Sequence, residues 1–197
     1  STLEQPPTNR QPVQTYVLEH DWGLVADAIR RELDRGGQVY YLHNRTETID
    51  RTAAKLRALL GESVRIATAH GKMDQEQLGD IMSQMTDGEL DILVCTTIIE
   101  TGIDLPNANT LIIENADQLG LAQLHQLRGR VGRGDAQSYC IMVNCSSAKT
   151  AERRLKILND SNDGFRIASE DLKLRGPGDF FGIRQSGELQ FALGDIY

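Results

Sequence analysis

Cysteine is scarce in this chain, and what there is does not pair. Cys95, Cys140 and Cys145 are odd in number, and no two stand in a C-x-x-C pattern. That excludes a disulfide-built scaffold. With His20, His43, His70 and His125 far apart and at no ligand-type spacing, no metal site can be read from the sequence either. Cys95 and Cys140 lie inside apolar runs, which predicts buried free thiols in a reducing compartment. Long hydrophobic runs are also missing. None approaches the roughly 18 residues that a membrane span needs, and no basic-then-apolar signal segment opens the chain. Positive charge is not in surplus: 21 Lys and Arg against 28 Asp and Glu leave a net charge of −7. Binding a polyanion by bulk charge is thereby excluded, although a local basic surface is not. Finally, G-x-x-x-x-G-K-[S/T] does not occur, nor does an acidic cluster beside it to hold Mg²⁺. A nucleotide-hydrolysing enzyme needs both, so this chain by itself does not read as one.

What is present is an ordinary globular composition, 40% apolar and 25% charged, over 197 residues. That length suits one domain with a small appendage. The chain starts Ser-Thr-Leu-Glu-Gln-Pro-Pro without an initiator Met, which reads as part of something longer. After a Pro-rich lead-in, β-formers alternate from Val13 to Leu18. Asp21 is placed to cap a helix through about Arg35, with Leu24, Val25, Ile29 and Leu33 on one face and Gly36-Gly37 ending it. Strands follow at Gln38–Leu42, Ser63–Thr68, Asp91–Cys95, Thr110–Glu114 and Ser138–Val143. Helices are expected at Thr46–Leu60 and from Asp74 to about Met85. This rhythm predicts an α/β fold, a mostly parallel sheet with helices on both faces, whose ligands sit beyond the carboxyl ends of the strands. His43-Asn44-Arg45, His70-Gly71-Lys72, Thr96-Thr97 and Glu114-Asn115 are expected to gather along that edge. Trp22, Tyr40 and Tyr41 stand at apolar positions and read as core. From about Ser146 the pattern changes to a basic helix over Lys149–Leu158, a turn at Asp160–Gly164, a short helix over Phe165–Leu174 and an irregular hook to Gln190.

The most concentrated positive charge is the run Gln123-Leu-His-Gln-Leu-Arg-Gly-Arg-Val-Gly-Arg-Gly134. Arg128, Arg130 and Arg133 each present a planar fork of donors suited to phosphate oxygens. The interleaved glycines permit close backbone approach or positive φ. The run reads either as a phosphate-facing element at the end of an amphipathic Leu-rich segment or as a basic, solvated surface turn.

Two arrays resolve that choice. Leu93-Val-Cys-Thr-Thr-Ile-Ile-Glu-Thr-Gly-Ile-Asp-Leu-Pro106, followed by Gln126-Leu-Arg-Gly-Arg-Val-Gly-Arg133, resembles motifs V and VI of superfamily 2 helicases. Residues 1–145 accordingly resemble the second RecA-like motor domain. Residues 146–197 resemble the translocation motif, a helical hairpin and hook, of the bacterial double-stranded DNA translocases that include RecG and Mfd, the transcription-repair coupling factor. Arg35-Gly-Gly-Gln-Val-Tyr-Tyr-Leu-His-Asn-Arg45, Ala69-His-Gly-Lys-Met73 and Thr96-Thr-Ile-Ile-Glu-Thr-Gly102 lean to Mfd. Asn159-Asp-Ser-Asn-Asp-Gly-Phe165, Asp171-Leu-Lys-Leu-Arg-Gly-Pro-Gly-Asp-Phe-Phe-Gly182 and Arg184-Gln-Ser-Gly187 lean to RecG.

The resemblance implies roles for matching residues. Arg130 and Arg133 match arginines that reach the γ-phosphate of ATP held, with its Mg²⁺, by the first RecA-like domain. Gln126, Gly102 and Asp104 match positions at the nucleotide cleft, and Thr96 and Thr97 match contacts to a DNA phosphate backbone. Arg45 and His70 follow strands on the same edge, where phosphate contact and local capping or pairing are both open. Thr96 and Asp104 have a capping alternative of their own. Arg154, Arg175 and Gln185 match polar positions that couple hydrolysis to movement, unless the tail is only a brace on the sheet. The implied partners are double-stranded DNA, the first motor domain and, for an Mfd-like protein, RNA polymerase, in a bacterial cytoplasm. The other readings are a nucleic-acid-binding module without a motor and a partner-binding scaffold that has lost catalysis. The isolated chain is expected to hydrolyse no ATP and to bind DNA weakly; robust DNA-stimulated ATPase from these 197 residues alone would contradict the reading.

Overall fold

A computed structural model describes residues 12–96, 107–131 and 134–160. The strands are β1 (Gln14–Glu19), β2 (Gln38–Leu42), β3 (Ile66–Ala69), β4 (Ile92–Cys95), β5 (Ala108–Ile113) and β6 (Tyr139–Asn144). They form one six-stranded sheet in the order β1-β6-β5-β2-β4-β3, with every pairing parallel. The helices are α1 (Trp22–Asp34), α2 (Ile49–Leu60), α3 (Gln75–Thr86), α4 (Leu121–Arg128) and α5 (Lys149–Asp160).

Local chemistry sets the helix starts. The Asp21 carboxylate accepts from the N–H groups of Gly23 at 2.8 Å and Leu24 at 3.3 Å. Asp74 and Gln77 form a reciprocal capping box at α3. Thr46–Thr48 is a 3-10 turn, so α2 begins at Ile49 rather than Thr46. β3 starts at Ile66, later than the expected Ser63. Gly61 takes φ 105° after α2, and its carbonyl accepts from the Val64 N–H, folding the intervening residues into a turn. β5 starts early, at Ala108, because the Gln38 N–H pairs with Asn107 O at the beginning of β2.

A parallel sheet covered on both faces needs apolar residues at successive strand positions, and β2 and β4 are buried throughout. Val39 and Tyr41 point to one face, where Val25 and Ile29 of α1 and Ile49, Ala53 and Leu56 of α2 cover them. Tyr40 and Leu42 point to the other, toward Met85 of α3, Leu124 and Leu127 of α4, and Leu155 and Leu158 of α5. Tyr40 and Tyr41 are core residues as expected, whereas Trp22 is half-buried with the His20 ring edge-on at 5.0 Å. Cys95 and Cys140 are buried free thiols, and burial pushes the Cys140 thiol up to about 12. No helix among the described residues is long and apolar enough to cross a membrane.

The inner face of α1 departs from the expected leucine stripe. Leu24 is 46% exposed, while Glu32 is buried. Its carboxylate accepts from the Thr110 hydroxyl at 2.5 Å and from both the Nε and an Nη of Arg35, at 3.0 and 2.7 Å. The Arg35 guanidinium also donates to Gln137 O and lies 5.1 Å over the Tyr139 ring. This buried acid, with Arg35, joins the end of α1 to β5 and to the residues at the start of β6. Gln38 does similar work beyond β4: its side-chain amide donates to Met85 O at 2.7 Å and Leu90 O at 2.8 Å. A Cβ at Gly37 would stand 1.8 Å from a Glu32 carboxylate oxygen, so any other residue there must displace that carboxylate from its bonds to Thr110 and Arg35. Gly37→Ala should therefore destabilise the fold by about 2 kcal/mol or more, read as a lower midpoint in urea at unchanged slope.

Candidate functional site

Parallel pairing brings the carboxyl ends of all six strands to one edge, and the residues that follow line up there in strand order. They run from His20 beyond β1, through Asn144 of β6, Glu114 beyond β5, His43 beyond β2 and Thr96 beyond β4, to His70 beyond β3. Backbone bonds hold the central part: His43 N–H donates to Cys95 O at 2.8 Å, Glu114 N–H to Leu42 O at 3.1 Å, and Thr96 N–H to Ala69 O at 3.2 Å. The expected gathering of these polar segments at one edge is what the fold produces.

Beneath the row lies a buried polar network. His43 Nδ1 is 2.5 Å from Glu114 Oε1, and its Nε2 is 2.6 Å from Thr48 Oγ1. Thr52 Oγ1 stands 3.2 Å from Nδ1, and the Tyr41 hydroxyl donates to Glu114 Oε2 at 2.5 Å. Burial pushes the Glu114 carboxyl up. The hydrogen bonds from His43 and Tyr41, together with the charges of His43 and His20, outweigh it and hold the group below the usual carboxylate range. Burial first, and the Glu114 charge next, push the Tyr41 hydroxyl far above its usual range, so it remains a neutral donor. Tyr41 is thus both core ring and polar ligand. The residue pattern placed His43 and Glu114 at one edge but gave no sign that they pair, because that depends on β2 lying beside β5.

The sequence-predicted residues on this edge differ in what they offer. Thr96 is buried, and its N–H is already engaged by Ala69 O. His70 is half-buried, and its Nδ1 accepts from the Lys72 N–H at 3.2 Å, which is local pairing within the turn after β3. Arg45 is exposed and makes no side-chain cap on the 3-10 turn it precedes. Among the described residues no hydrogen bond or ion pair engages its guanidinium. Asn115, just past Glu114, takes φ 54°, a left-handed conformation that asparagine tolerates better than most residues.

The Arg-Gly run lies elsewhere. α4 leaves the strand-end edge and runs back over the sheet, so that its last residue, Arg128, meets the opposite end of β1. Arg128 donates to Thr15 Oγ1 at 3.1 Å and to Leu158 O at 2.6 Å, and its other Nη is 3.2 Å from His125 Nδ1. Arg128 is buried. It braces β1, α4 and α5 together, so for Arg128 neither reading of the run, phosphate-facing element or solvated turn, describes where its guanidinium goes. Gly129 closes α4 at φ −70°, so the left-handed freedom expected of these glycines is not used there. Arg130 follows, half-buried, its N–H donating to Leu127 O at 3.0 Å, and Gln126 is exposed on the last turn. The fold therefore separates Arg130 from the row of Thr96, His43 and His70.

Arg154 on α5 is buried, and its guanidinium donates to Leu119 O at 2.8 Å and Asp117 O at 2.6 Å. These carbonyls belong to the 3-10 turn and loop that lead into α4, so Arg154 ties α5 to the start of the helix that ends at Arg128. Thr97, Gly102, Asp104, Arg133, Arg175 and Gln185 lie outside the described residues, as does the expected helix over Phe165–Leu174.

Comparison with known proteins gives a consistent result. A family model described as the helicase conserved C-terminal domain matches residues 24–135, and one described as ATP-dependent DNA helicase RecG, domain 3, C-terminal, matches residues 161–196. The chain is 46% identical over 203 residues to the transcription-repair-coupling factor of Bacillus subtilis (strain 168), covering 100% of this chain and 17% of that protein. The corresponding protein of Staphylococcus haemolyticus (strain JCSC1435) gives the same 46%, 100% and 17%. The chain thus spans about 17% of the length of the curated relatives it matches. A structure of RecG bound to a three-way DNA junction superposes with a TM-score of 0.75 at 40% identity, covering 89% of this chain and 24% of that one. Mycobacterium smegmatis helicase Lhr bound to ssDNA and AMP-PNP shares the fold, with a TM-score of 0.61 at 18% identity over 78% of this chain and 22% of that one.

The contrast between the neighbouring arginines is measurable. Arg128→Ala leaves the buried Leu158 carbonyl without its donor and should lower the unfolding free energy by about 2–3 kcal/mol, seen as a reduced urea midpoint. Arg130→Ala, at a half-buried position, should move that midpoint less.

Proposed function

Because the chain belongs to the helicase conserved C-terminal domain family, we propose that it is the C-terminal motor lobe, with translocation motif, of a bacterial ATP-dependent double-stranded DNA translocase. The observation that carries this reading is continuity. The helicase family model over residues 24–135 and the RecG model over 161–196 fall on one chain, which is similar along its whole length to a transcription-repair-coupling factor. Within the group, the 46% identity over 100% of the chain favours a transcription-repair-coupling role over a RecG-like one, with RNA polymerase as the further partner and the bacterial cytoplasm as the setting.

In this reading residues 1–145 are the second RecA-like domain and residues 146–197 the coupling element. ATP and Mg²⁺ are held by the first motor domain, which supplies the P-loop this chain lacks. Arg130 and Arg133 reach across to the γ-phosphate, where a guanidinium fork offsets charge that develops in the transition state. Gly102, Asp104 and Gln126 line the same cleft. Thr96, Thr97, Arg45 and His70 face the DNA backbone and fix register without reading sequence. The separation of Arg130 from the strand-end row supports such a division, since one face of the lobe meets nucleotide and another meets DNA. Arg154, Arg175 and Gln185 transmit closure of the cleft to the DNA-facing edge. Arg154 is suited to this because it joins α5 to the loop before α4, and α4 leads to Arg130. Cleft closure on ATP and reopening after hydrolysis then step the lobe along the duplex.

In the intact protein, Arg130→Ala should reduce DNA-stimulated ATP hydrolysis by about 10³-fold or more while duplex DNA is still bound. Unchanged ATPase and translocation would overturn the motor role and favour a scaffold.

A further inference from the structure

We propose that His43 is a positioning residue for DNA engagement: clamped between Glu114 and Thr48, it holds the turn over residues 43–48 so that Arg45 is presented to the DNA phosphate backbone. This rests on the motor reading above and extends it to a residue that makes no contact with DNA itself.

The geometry singles out His43. The turn from β2 to α2 is short, and its exposed members, Asn44 and Arg45, have nothing in the described structure to hold their side chains. His43, at its root, is buried to 8% exposure and uses both ring nitrogens. Nδ1 meets Glu114 Oε1 at 2.5 Å, beyond the end of the neighbouring strand β5. Nε2 meets Thr48 Oγ1 at 2.6 Å, in the residue that precedes α2. The two ends of the turn are therefore fixed by one ring, while Arg45 lies between them. Glu114 is in turn held by the Tyr41 hydroxyl at 2.5 Å, so the anchor cannot swing away from the histidine. The His43 N–H, bonded to Cys95 O at 2.8 Å, sets the same turn against the strand that ends at Thr96. A buried, fully hydrogen-bonded group of this kind defines a single geometry for whatever it supports. A flexible arginine on a loop loses several rotors on meeting a phosphate, and a fixed loop backbone leaves less to be ordered at that moment. Within the turn the Thr48 N–H closes on Arg45 O at 3.3 Å, and with no side-chain cap from Arg45 or Thr48, the His43 ring is the described side chain that ties both ends of the turn together.

The test is a double-mutant cycle in the intact protein, reading DNA-stimulated ATPase as a function of duplex DNA and of salt. Arg45→Ala should raise the DNA concentration for half-maximal activity about fivefold and reduce the salt slope by about one. His43→Ala should raise that concentration by a similar factor, with kcat at saturating DNA within about twofold of the parent. The combined variant should be no worse than Arg45→Ala alone, because both act through one contact. Thr48→Val, which removes only the Nε2 partner, should show the same shift at near-parental melting temperature, and it carries the test if His43→Ala does not fold. Multiplicative effects in the double variant would overturn the proposal, as would a His43→Ala or Thr48→Val defect confined to kcat and melting temperature. No effect of Arg45→Ala would overturn it as well. A parent protein without DNA-stimulated ATPase overturns the motor reading itself, and is recognised as such because it precedes any comparison of variants.

Discussion

Parallel pairing of six strands, with both faces covered, is the constraint on which the rest of this molecule depends. Parallel strands cannot be joined by hairpins, so each connection must cross a face, and the crossing helices complete the burial. All the strand ends that carry polar turns then fall on one edge. That edge exists because of main-chain geometry, before any side chain is considered, and it brings together residues as distant as His20, His43, His70, Thr96, Glu114 and Asn144. Glu32 and Gln38 secure the opposite side, where a buried carboxylate and a buried amide satisfy groups at the turns below β2, β4 and β5.

Within that frame, burial distinguishes residues of identical chemistry. Arg128 and Arg130 are two positions apart in an Arg-Gly run, and the end of α4 falls between them. The first is turned into the sheet, where Thr15 and the Leu158 carbonyl take its donors, while the second is displaced by the turn that follows. Arg154 repeats the pattern in α5, with its fork on two backbone carbonyls. Guanidinium groups serve the fold and the proposed phosphate chemistry alike, because carbonyl and phosphate oxygens both accept from a planar set of donors. Their division here follows from where α4 ends.

The same edge and the same helix give the proposed function two separate surfaces on one small lobe. The strand-end row carries the buried Thr96 and the exposed Arg45, whose guanidinium no group among the described residues engages. α4 leads away from it, over the face built by Leu124, Leu127, Leu155 and Leu158, to Arg130. A short span of buried leucines thus connects the two regions, and Arg154 pins its near end.

Most of the architecture was legible because it is written in local periodicity. Alternating and continuous apolar runs marked the strands to within a few residues, Asp21 and Asp74 announced their helices by capping chemistry, and glycines marked the ends. Motif spacing, by resemblance, pointed to a helicase lobe, and the helicase family match bears that out. The misses share one cause. The outward turn of Leu24, the engagement of Arg128 and the pairing of His43 with Glu114, 71 residues apart, all depend on which elements become neighbours. A hydrophobic pattern states that a residue is buried on some face; it does not state which distant donor meets which acceptor. By itself, then, the sequence determined the order of elements, the kind of sheet and the kinds of groups at its edge, since those follow from interactions within a few residues along the chain. Only the tertiary structure decided which arginines are braces and which histidine is an anchor, since strand order and helix rotation bring those partners within hydrogen-bonding reach.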